Sequence, residues 1–267
     1  KHDFFFKMSS HEIQNGEPQV VTNSNGLNAQ FVEIPIEGET IPVYCSFPQG
    51  GENLPLVLVI QEIFGIHEHI QDVCRRFAKQ GCIALAPDLF IRHGNVLGLT
   101  EPEEIYPIVS QVPDHQVMQD LDACVDWAIE TGLSNPQRMG ITGFCWGGRI
   151  VWLYATHNSS IKAGAAWYGR LENQITENQP RHPYELVNEL NCPVLGLYGG
   201  QDHIIPEKIV DQMNRRLQKA KNPSTILIYP ESGHGFYADY RSSYHEKDAL
   251  SAWKELLAWF RKYGILE

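Results

Sequence analysis

Hydrophobic segments with the spacing of strands and of helices alternate along most of this chain, separated by short breaks rich in Gly, Pro and Asn. Strand-like runs, several of them continuously aliphatic, occupy residues 56–60, 82–86, 138–142, 163–168, 194–198 and 225–229. Helix-like runs occupy residues 70–79, 117–129, 146–155, 206–217 and 247–262. This repeated alternation predicts an α/β fold, with a mostly parallel central sheet and helices on both faces.

The beginning of the chain departs from this pattern. Residues 1–25 are polar and irregular, so we expect them to form a tail. Residues 30–36 and 41–47 predict a hairpin that turns around Gly38. No linker or internal repeat interrupts the remainder, and residues 26–267 are therefore predicted to form a single domain.

Two further segments allow structural predictions. Residues 88–114 contain many Gly and Pro breaks and predict a long irregular connection, a kind of loop that is often functional. The last helix carries an apolar stripe that we expect to pack into the core, consisting of Leu250, Trp253, Leu257 and Phe260.

The stretch G-F-C-W-G-G at residues 143–148 joins a predicted strand to a predicted helix. A nucleophile flanked by small residues at such a junction is the pattern of a nucleophile elbow. Gly143 and Gly147 allow the sharp turn that keeps the side chain of Cys145 exposed. A thiolate at this position needs a base or a positive potential to form near neutral pH. A buried, unreactive cysteine is the alternative, but the strand–turn–helix context favours a nucleophile.

A cysteine nucleophile needs a base, and the base needs a group that orients it. Two later strands are followed by G-G-Q-D-H at residues 199–203 and S-G-H-G-F at residues 232–236. Asp202 is predicted to hold one ring nitrogen of His234, so that the other faces Cys145. Taken singly, Asp202 also fits a turn carboxylate and His234 a solvated loop residue. The order of nucleophile, acid and histidine is that of α/β-hydrolases and favours a catalytic triad.

The segment Q-E-I-F-G at residues 61–65 follows the first buried strand. An α/β-hydrolase places one backbone N–H of its oxyanion hole at this point. The backbone N–H groups of Ile63 and Trp146 are therefore the predicted oxyanion donors. Glu62 has two interpretations: a solvated charge at the strand end, or a second proton acceptor that shares the proton of the Cys145 thiol.

Composition narrows the classes of partner and the cellular location. The formal net charge of −11 disfavours nucleic acid and anionic membrane surfaces as partners. No apolar run approaches the roughly 20 residues that cross a bilayer. The six cysteines form no C-x-x-C pair and no zinc-type spacing with histidine, so no metal site is predicted. Five of them are interpreted as core thiols in a reducing compartment, which favours a cytoplasmic location.

The four motifs with Glu62, Cys145, Asp202 and His234 together resemble the dienelactone hydrolase family, whose members are also called carboxymethylenebutenolidases. The likeness extends from about residue 30 to the end of the chain. It implies an α/β-hydrolase fold without a large lid domain and without a cofactor. It further implies hydrolysis of lactones or esters by a Cys–His–Asp triad, with the Glu62-type residue holding the resting thiol until substrate binds.

The resemblance also implies substrate contacts. Arg92 matches a family arginine that contacts the substrate carboxylate, and Tyr168 and Phe236 lie in segments shared with the family. A second family arginine lies four positions after the triad histidine, where this chain has Ala238. Arg241, three residues further on, is the candidate substitute.

The predicted function is a cysteine hydrolase that opens lactones or cleaves small esters, acidic ones included, through an acyl-enzyme. A carboxylesterase or thioesterase with a wider substrate range is the alternative within this class. A relative without catalytic activity, which binds a ligand or senses redox state, is the alternative from another class. The presence of every triad residue favours the enzyme. A monomer or a weak homodimer is expected.

Overall fold

A computed structural model describes residues 17–267, which fold around one central sheet. The strands are β1 (Leu27–Ile36), β2 (Glu39–Pro48), β3 (Leu54–Ile60), β4 (Ile83–Pro87), β5 (Ser134–Phe144), β6 (Ala163–Trp167), β7 (Val194–Gly199) and β8 (Thr225–Tyr229). The helices are α1 (Glu68–Lys79), α2 (Pro102–Val109), α3 (Asp114–Glu130), α4 (Trp146–His157), α5 (Glu207–Lys219) and α6 (Glu246–Lys262). Short 3-10 turns occupy Pro183–Glu185 and Val187–Glu189. None of the helices in this described part is long and apolar enough to span a bilayer.

The sheet has the strand order β1-β2-β4-β3-β5-β6-β7-β8. Strand β2 pairs antiparallel with both β1 and β4, whereas all later neighbours pair in parallel. Parallel neighbours need crossover connections, which the helices provide. The carboxyl ends of β3, β5, β6, β7 and β8 therefore meet at one edge of the sheet, and the candidate residues follow these strands. The predicted α/β fold with a mostly parallel sheet is confirmed.

Two apolar clusters, one on each face of the sheet, form the core. Along β3, Leu56 and Leu58 belong to one cluster, and Val57 and Val59 belong to the other. This strand is therefore buried on both faces, which explains its continuous aliphatic sequence. Buried side chains of α1 and α6 contribute to the second cluster, and those of α3, α4 and α5 contribute to the first.

The first two strands form the predicted hairpin. Strands β1 and β2 pair antiparallel over their whole length. The turn between them has positive φ at Glu37 (47°) and at Gly38 (91°), a conformation that suits a tight hairpin turn. The hairpin prediction around Gly38 is confirmed.

The predicted tail is described only in part, because residues 1–16 lie outside the described residues. Residues 17–25 form neither helix nor strand. They contact the folded body nonetheless: the backbone N–H of Val20 donates to Asp239 at 2.7 Å, and Arg75 Nε donates to the carbonyl oxygen of Thr22 at 2.7 Å.

The connection at residues 88–114 was expected to be irregular throughout. This prediction is wrong for one segment, which is helical. Helix α2 lies within it, beginning at Pro102 and containing Pro107 in its interior. Proline is favourable in the first turn of a helix but unfavourable in the interior, so the two prolines give opposite signals in one short segment. Burial of Ile105 and Val109 stabilises the helix against the core.

The stripe predicted for the last helix is wrong at Leu250, which is 52 % exposed, and confirmed at Phe260, which is fully buried. Trp253 and Leu257 are partly buried and pack against the second cluster. The fully buried face of α6 consists of Ala249, Ala252, Leu256, Trp259 and Phe260. Two alanines lie on that face, and their weak hydrophobic signal concealed it. The larger residues beside them line its margin.

Candidate active site

Cys145 stands at a sharp turn between the end of β5 and the first residue of α4. Its backbone has φ 53° and ψ −112°, a combination rare for residues other than glycine and characteristic of functional sites. A Cβ atom at Gly147 would lie 2.5 Å from the carbonyl oxygens of Ile60 and Gln61. One at Gly143 would lie 2.4 Å from the carbonyl oxygen of Gly147. Both positions therefore require glycine, and the turn has the form of a nucleophile elbow.

The environment of Cys145 differs from that of the other cysteines. All six are free, and only Cys145 is partly exposed. Burial raises the pKa of the Cys45, Cys82 and Cys192 thiols to about 12, so these thiols stay protonated and inert near neutral pH. Cys145 instead lies at the N-terminus of α4, where the peptide dipoles favour negative charge.

His234 and Asp202 lie on the loops that follow β8 and β7, and the fold brings them together. His234 Nδ1 donates a hydrogen bond to Asp202 Oδ2 at 2.8 Å. The other carboxylate oxygen, Asp202 Oδ1, accepts from the backbone N–H groups of Ile204 at 2.8 Å and Ile205 at 2.9 Å. Both side chains are buried. The carboxylate is thus fixed on both oxygens and holds the imidazole in one orientation.

The second ring nitrogen of His234, Nε2, is buried. Burial disfavours the imidazolium, but the charges of Asp202 and Cys145 outweigh it and raise the pKa of His234 to about 10. A protonated ring here would stabilise negative charge on the sulfur of Cys145. It would also supply a proton to a departing oxygen.

A cavity of about 380 Å³ contains these groups. Cys145 and His234 both line it, together with the predicted oxyanion donors Ile63 and Trp146. Tyr168 lines it as well, and its ring meets the His234 ring edge-on at a centroid distance of 5.2 Å. The fold thus brings the candidate nucleophile, the candidate base and both oxyanion candidates to one concave, partly apolar surface, the usual setting of a small-molecule site.

Glu62 is a buried carboxylate that precedes Ile63 in the chain, and unlike Ile63 it is not among the residues that line the cavity. Its side chain is fully buried, so its interpretation as a solvated strand-end charge is wrong. Tyr240 Oη donates a hydrogen bond to Glu62 Oε2, and Arg241 Nη1 lies 3.6 Å from Glu62 Oε1. Burial opposes ionisation of Glu62, but Arg241 and His69, followed by other neighbours, outweigh it and lower the pKa of the carboxyl. Glu62 is therefore held as an anion.

The three residues predicted to contact substrate occupy different places. Tyr168 lines the cavity. Phe236 is fully buried beside Tyr168, with ring centroids 5.6 Å apart, and is not among the lining residues. Arg92 forms an ion pair with Asp120 on α3 and is also not among the lining residues. The structure therefore brings one of the three to the cavity.

Two buried contacts between a basic and an acidic side chain escaped the sequence analysis. His69 Nδ1 donates to Asp239 Oδ1 at 2.7 Å, across 170 positions of the chain. Arg149, which lines the cavity, donates to both carboxylate oxygens of Asp114 at 2.7 Å each, across 35 positions. Residues so far apart in the chain form no local sequence pattern that would predict their contact. The only signal for them is a polar residue at a helix position that faces the core.

Comparisons with known proteins identify the family of the chain. The model of the dienelactone hydrolase family matches residues 41–264. A Methylorubrum extorquens protein named "Putative carboxymethylenebutenolidase" is 51% identical over 247 residues, covering 92% of this chain and 85% of that protein. A Bradyrhizobium protein named "Probable 2-oxo-3-(5-oxofuran-2-ylidene)propanoate lactonase" is 32% identical over 232 residues, covering 86% of this chain and 93% of that protein.

A solved structure is similar over nearly the whole fold. The crystal structure of a "Putative Dienelactone Hydrolase" from Klebsiella pneumoniae superposes with a TM-score of 0.86 at 46% identity, covering 89% of this chain and 99% of that one. The family match spans more than half of the chain, and it includes the β5–α4 turn and the loops that carry Asp202 and His234. The chain therefore belongs to the dienelactone hydrolase family and has the α/β-hydrolase fold.

Proposed function

We propose that the chain is a cysteine hydrolase that opens lactones or cleaves small carboxylic esters. Cys145 is the nucleophile, His234 the base, and Asp202 the group that orients His234. The observation that carries this proposal is the single cavity lined by Cys145 and His234, with Asp202 hydrogen-bonded to the far ring nitrogen at 2.8 Å. Acyl transfer by a thiol requires this relation between nucleophile, base and orienting group.

The first half-reaction forms a thioester on Cys145. His234 Nε2 takes the thiol proton, and the sulfur bonds to the carbonyl carbon of the substrate. The backbone N–H groups of Ile63 and Trp146 stabilise the negative charge on the carbonyl oxygen. The bond between the carbonyl carbon and the ester oxygen then breaks, and that oxygen takes the proton from His234. With a lactone, the released hydroxyl stays in the same molecule as the thioester.

The second half-reaction returns the free protein. A water molecule gives a proton to His234 Nε2, and its oxygen bonds to the thioester carbon. The carbon–sulfur bond breaks, and the departing sulfur takes the proton back from His234. The product is a carboxylic acid. Asp202 stays ionised throughout and stabilises the imidazolium that forms in each half-reaction.

Glu62 is proposed to act on the same thiol proton before substrate binds. Its buried anionic carboxylate can accept the thiol proton, or its charge can disfavour a thiolate beside it. Which of the two occurs depends on whether the cavity holds a substrate. Arg241, 3.6 Å from Glu62, is proposed to serve here in place of the arginine that the family has at the position of Ala238. Tyr240 adds a hydrogen bond that fixes the carboxylate.

The names of the relatives support lactones as the substrate class. The Methylorubrum extorquens protein is named a carboxymethylenebutenolidase, and the Bradyrhizobium protein a lactonase of an oxofuranylidene propanoate. The cavity walls include Val109, Trp146 and Ile205, which are apolar and accept different acyl groups. A carboxylesterase or thioesterase of wider range is therefore the second candidate, and a panel of lactones and 4-nitrophenyl esters separates the two.

Substitution of the nucleophile tests the proposal. Cys145→Ala is expected to lower hydrolysis of dihydrocoumarin and 4-nitrophenyl acetate by on the order of a thousandfold or more, with an unchanged circular dichroism spectrum. Cys145→Ser should keep at most weak activity, because a hydroxyl is far harder to deprotonate than a thiol. Cys192→Ala is the matched control and should retain activity. Full activity in Cys145→Ala would contradict the triad, and alkylation of Cys145 without any ester turnover would indicate a redox sensor.

A further inference from the structure

One side of the cavity that contains Cys145 is built by residues 170–182, the connection that follows β6. These residues form neither helix nor strand. They nonetheless contribute more lining residues to the cavity than any other segment of the described chain. The composition of this connection therefore determines what the cavity can bind beyond the reacting carbonyl group.

The connection is fixed to the body of the fold by hydrogen bonds. Arg149, in the first turn of α4, donates from Nε to His182 Nδ1 at 3.1 Å. The backbone N–H of Asp114 donates to the carbonyl oxygen of Asn178 at 2.8 Å, and Asn178 Nδ2 donates to the carbonyl oxygen of Ser110 at 2.9 Å. A surface held at several points is already organised before a ligand binds, so less ordering is required on binding.

Most of the side chains that this connection turns towards the cavity are neutral amides. We call them the amide wall, which consists of Asn173, Gln174, Asn178 and Gln179. Asn178 and Gln179 are half-buried, whereas the other two are exposed at the mouth of the cavity. The amide groups of Gln174 and Gln179 take no part in the anchoring contacts, so they can bond a ligand without releasing the connection.

The remaining surface of the cavity is apolar or has charges of both signs. Val109, Trp146 and Ile205 supply apolar surface. Arg149 is paired with both carboxylate oxygens of Asp114. The other charged lining residues, Arg170 and Glu177, have opposite signs. Because these charges offset one another, the neutral amides dominate the polar character of this side.

We propose that the amide wall recognises hydroxyl groups, and that the substrate is a neutral lactone or ester that carries several of them. An amide group both donates and accepts hydrogen bonds, as a hydroxyl does, whereas a carboxylate only accepts and a hydrocarbon does neither. The C–H faces of such a substrate fit the apolar surface that includes Trp146. The reacting end of the substrate rests on the proposed hydrolase function, but hydroxyl recognition by the amide wall does not.

Two matched lactones test the proposal. D-Ribono-1,4-lactone and γ-valerolactone have the same ring and carbon skeleton and differ only in hydroxyl groups. Gln179→Leu keeps the approximate size of the side chain and removes its polar atoms. It should lower kcat/KM for the hydroxylated lactone by about fivefold, mainly through KM, because a hydrogen bond to the ligand is lost. The value for γ-valerolactone should change less than about twofold, and Gln179→Asn should recover part of the loss. Gln218→Leu, at an exposed glutamine of α5 that does not line the cavity, is the matched control and should equal the wild type.

A binding measurement separates this proposal from the hydrolase proposal. By calorimetry, Cys145→Ala should bind D-ribono-1,4-lactone at least about fivefold more tightly than γ-valerolactone, and adding Gln179→Leu should remove most of that difference. If the wild type turned over neither lactone, the hydrolase function alone would be contradicted, since binding still tests the amide wall. Equal binding of the two lactones by Cys145→Ala would overturn the proposal. So would unchanged selectivity or an equal loss for both lactones in Gln179→Leu, or the same loss in Gln218→Leu.

Discussion

Two histidine–carboxylate pairs with almost the same geometry lie within this fold. The distance from His234 Nδ1 to Asp202 Oδ2 is 2.8 Å, and that from His69 Nδ1 to Asp239 Oδ1 is 2.7 Å. All four side chains are buried. By distance and burial alone, the pairs cannot be distinguished.

Their surroundings are different. His234 and Cys145 line the same cavity, so the second ring nitrogen of His234 can exchange a proton with a reacting group. His69 is enclosed by aromatic rings, with centroids 5.4 Å from Tyr240, 5.8 Å from Tyr237 and 6.1 Å from Phe144. Its partner Asp239 also accepts from the backbone of Val20, and its Oδ2 lies 3.6 Å from Arg76 Nη2. A histidine–carboxylate pair becomes a catalytic candidate through access to a nucleophile and a cavity, and otherwise it is a structural contact.

The largest difference between the pairs should appear in activity. We expect His234→Gln to lower kcat/KM on 4-nitrophenyl acetate by on the order of a thousandfold, because general-base catalysis is lost. His69→Gln should lower it less than about threefold but reduce the midpoint of thermal unfolding, because the buried carboxylate of Asp239 loses one of its hydrogen bonds. If His69→Gln does not fold, Asp239→Asn serves in its place. A comparable loss of activity from both histidine substitutions would remove the distinction.

A smaller effect is expected at Glu62. Tyr240 bonds Glu62 and also contacts His69. Glu62→Gln keeps the size of the side chain and removes its charge. It should lower kcat/KM by roughly tenfold and shift the pH dependence of iodoacetamide labelling at Cys145, because a buried anion no longer competes for the thiol proton. Glu68→Gln, at a carboxylate that is half exposed, is the control. Unchanged kinetics and an unchanged labelling profile would leave Glu62 without a role in the reaction.

The smallest effect should appear in how the free energy of unfolding depends on pH. The two pairs should change this dependence in opposite directions. The pKa of His234 is raised from 6.5 to about 10, so its stabilisation is complete below pH 6.5 and is lost as pH rises towards 10. Burial alone would raise the pKa of Asp239, but His69 outweighs it and the pKa is lowered below 3.8. The stabilisation by Asp239 is therefore present above about pH 4 and is lost at lower pH.

Urea unfolding across the pH range measures both effects. Relative to the wild type, His234→Gln should flatten the decline of the free energy of unfolding between pH 6.5 and 10. Asp239→Asn should flatten the decline below pH 4. If both variants changed the free energy of unfolding in the same pH range, the two pairs would not be electrostatically distinct.

Much of the fold followed from local sequence patterns. Strand β3 was predictable because a strand buried on both faces must be apolar at every position, and α3 because its apolar residues recur at helical spacing. Helix α2 was not predictable, since Pro107 signals a break that only burial against the core overcomes. Part of the buried face of α6 was missed because its two alanines carry little hydrophobic signal.

The sequence by itself determined the order of the strands and helices and the positions of Cys145, Asp202 and His234 on the loops that follow them. Such information is local, because a turn with required glycines or a loop after a buried strand is encoded in consecutive residues. Only the tertiary structure decided that Arg92 pairs with Asp120 and that Arg241 approaches Glu62. It also placed His69 against Asp239, across 170 positions. Burial of a charge is stable only with a partner, and which partner is near depends on how separate loops pack together.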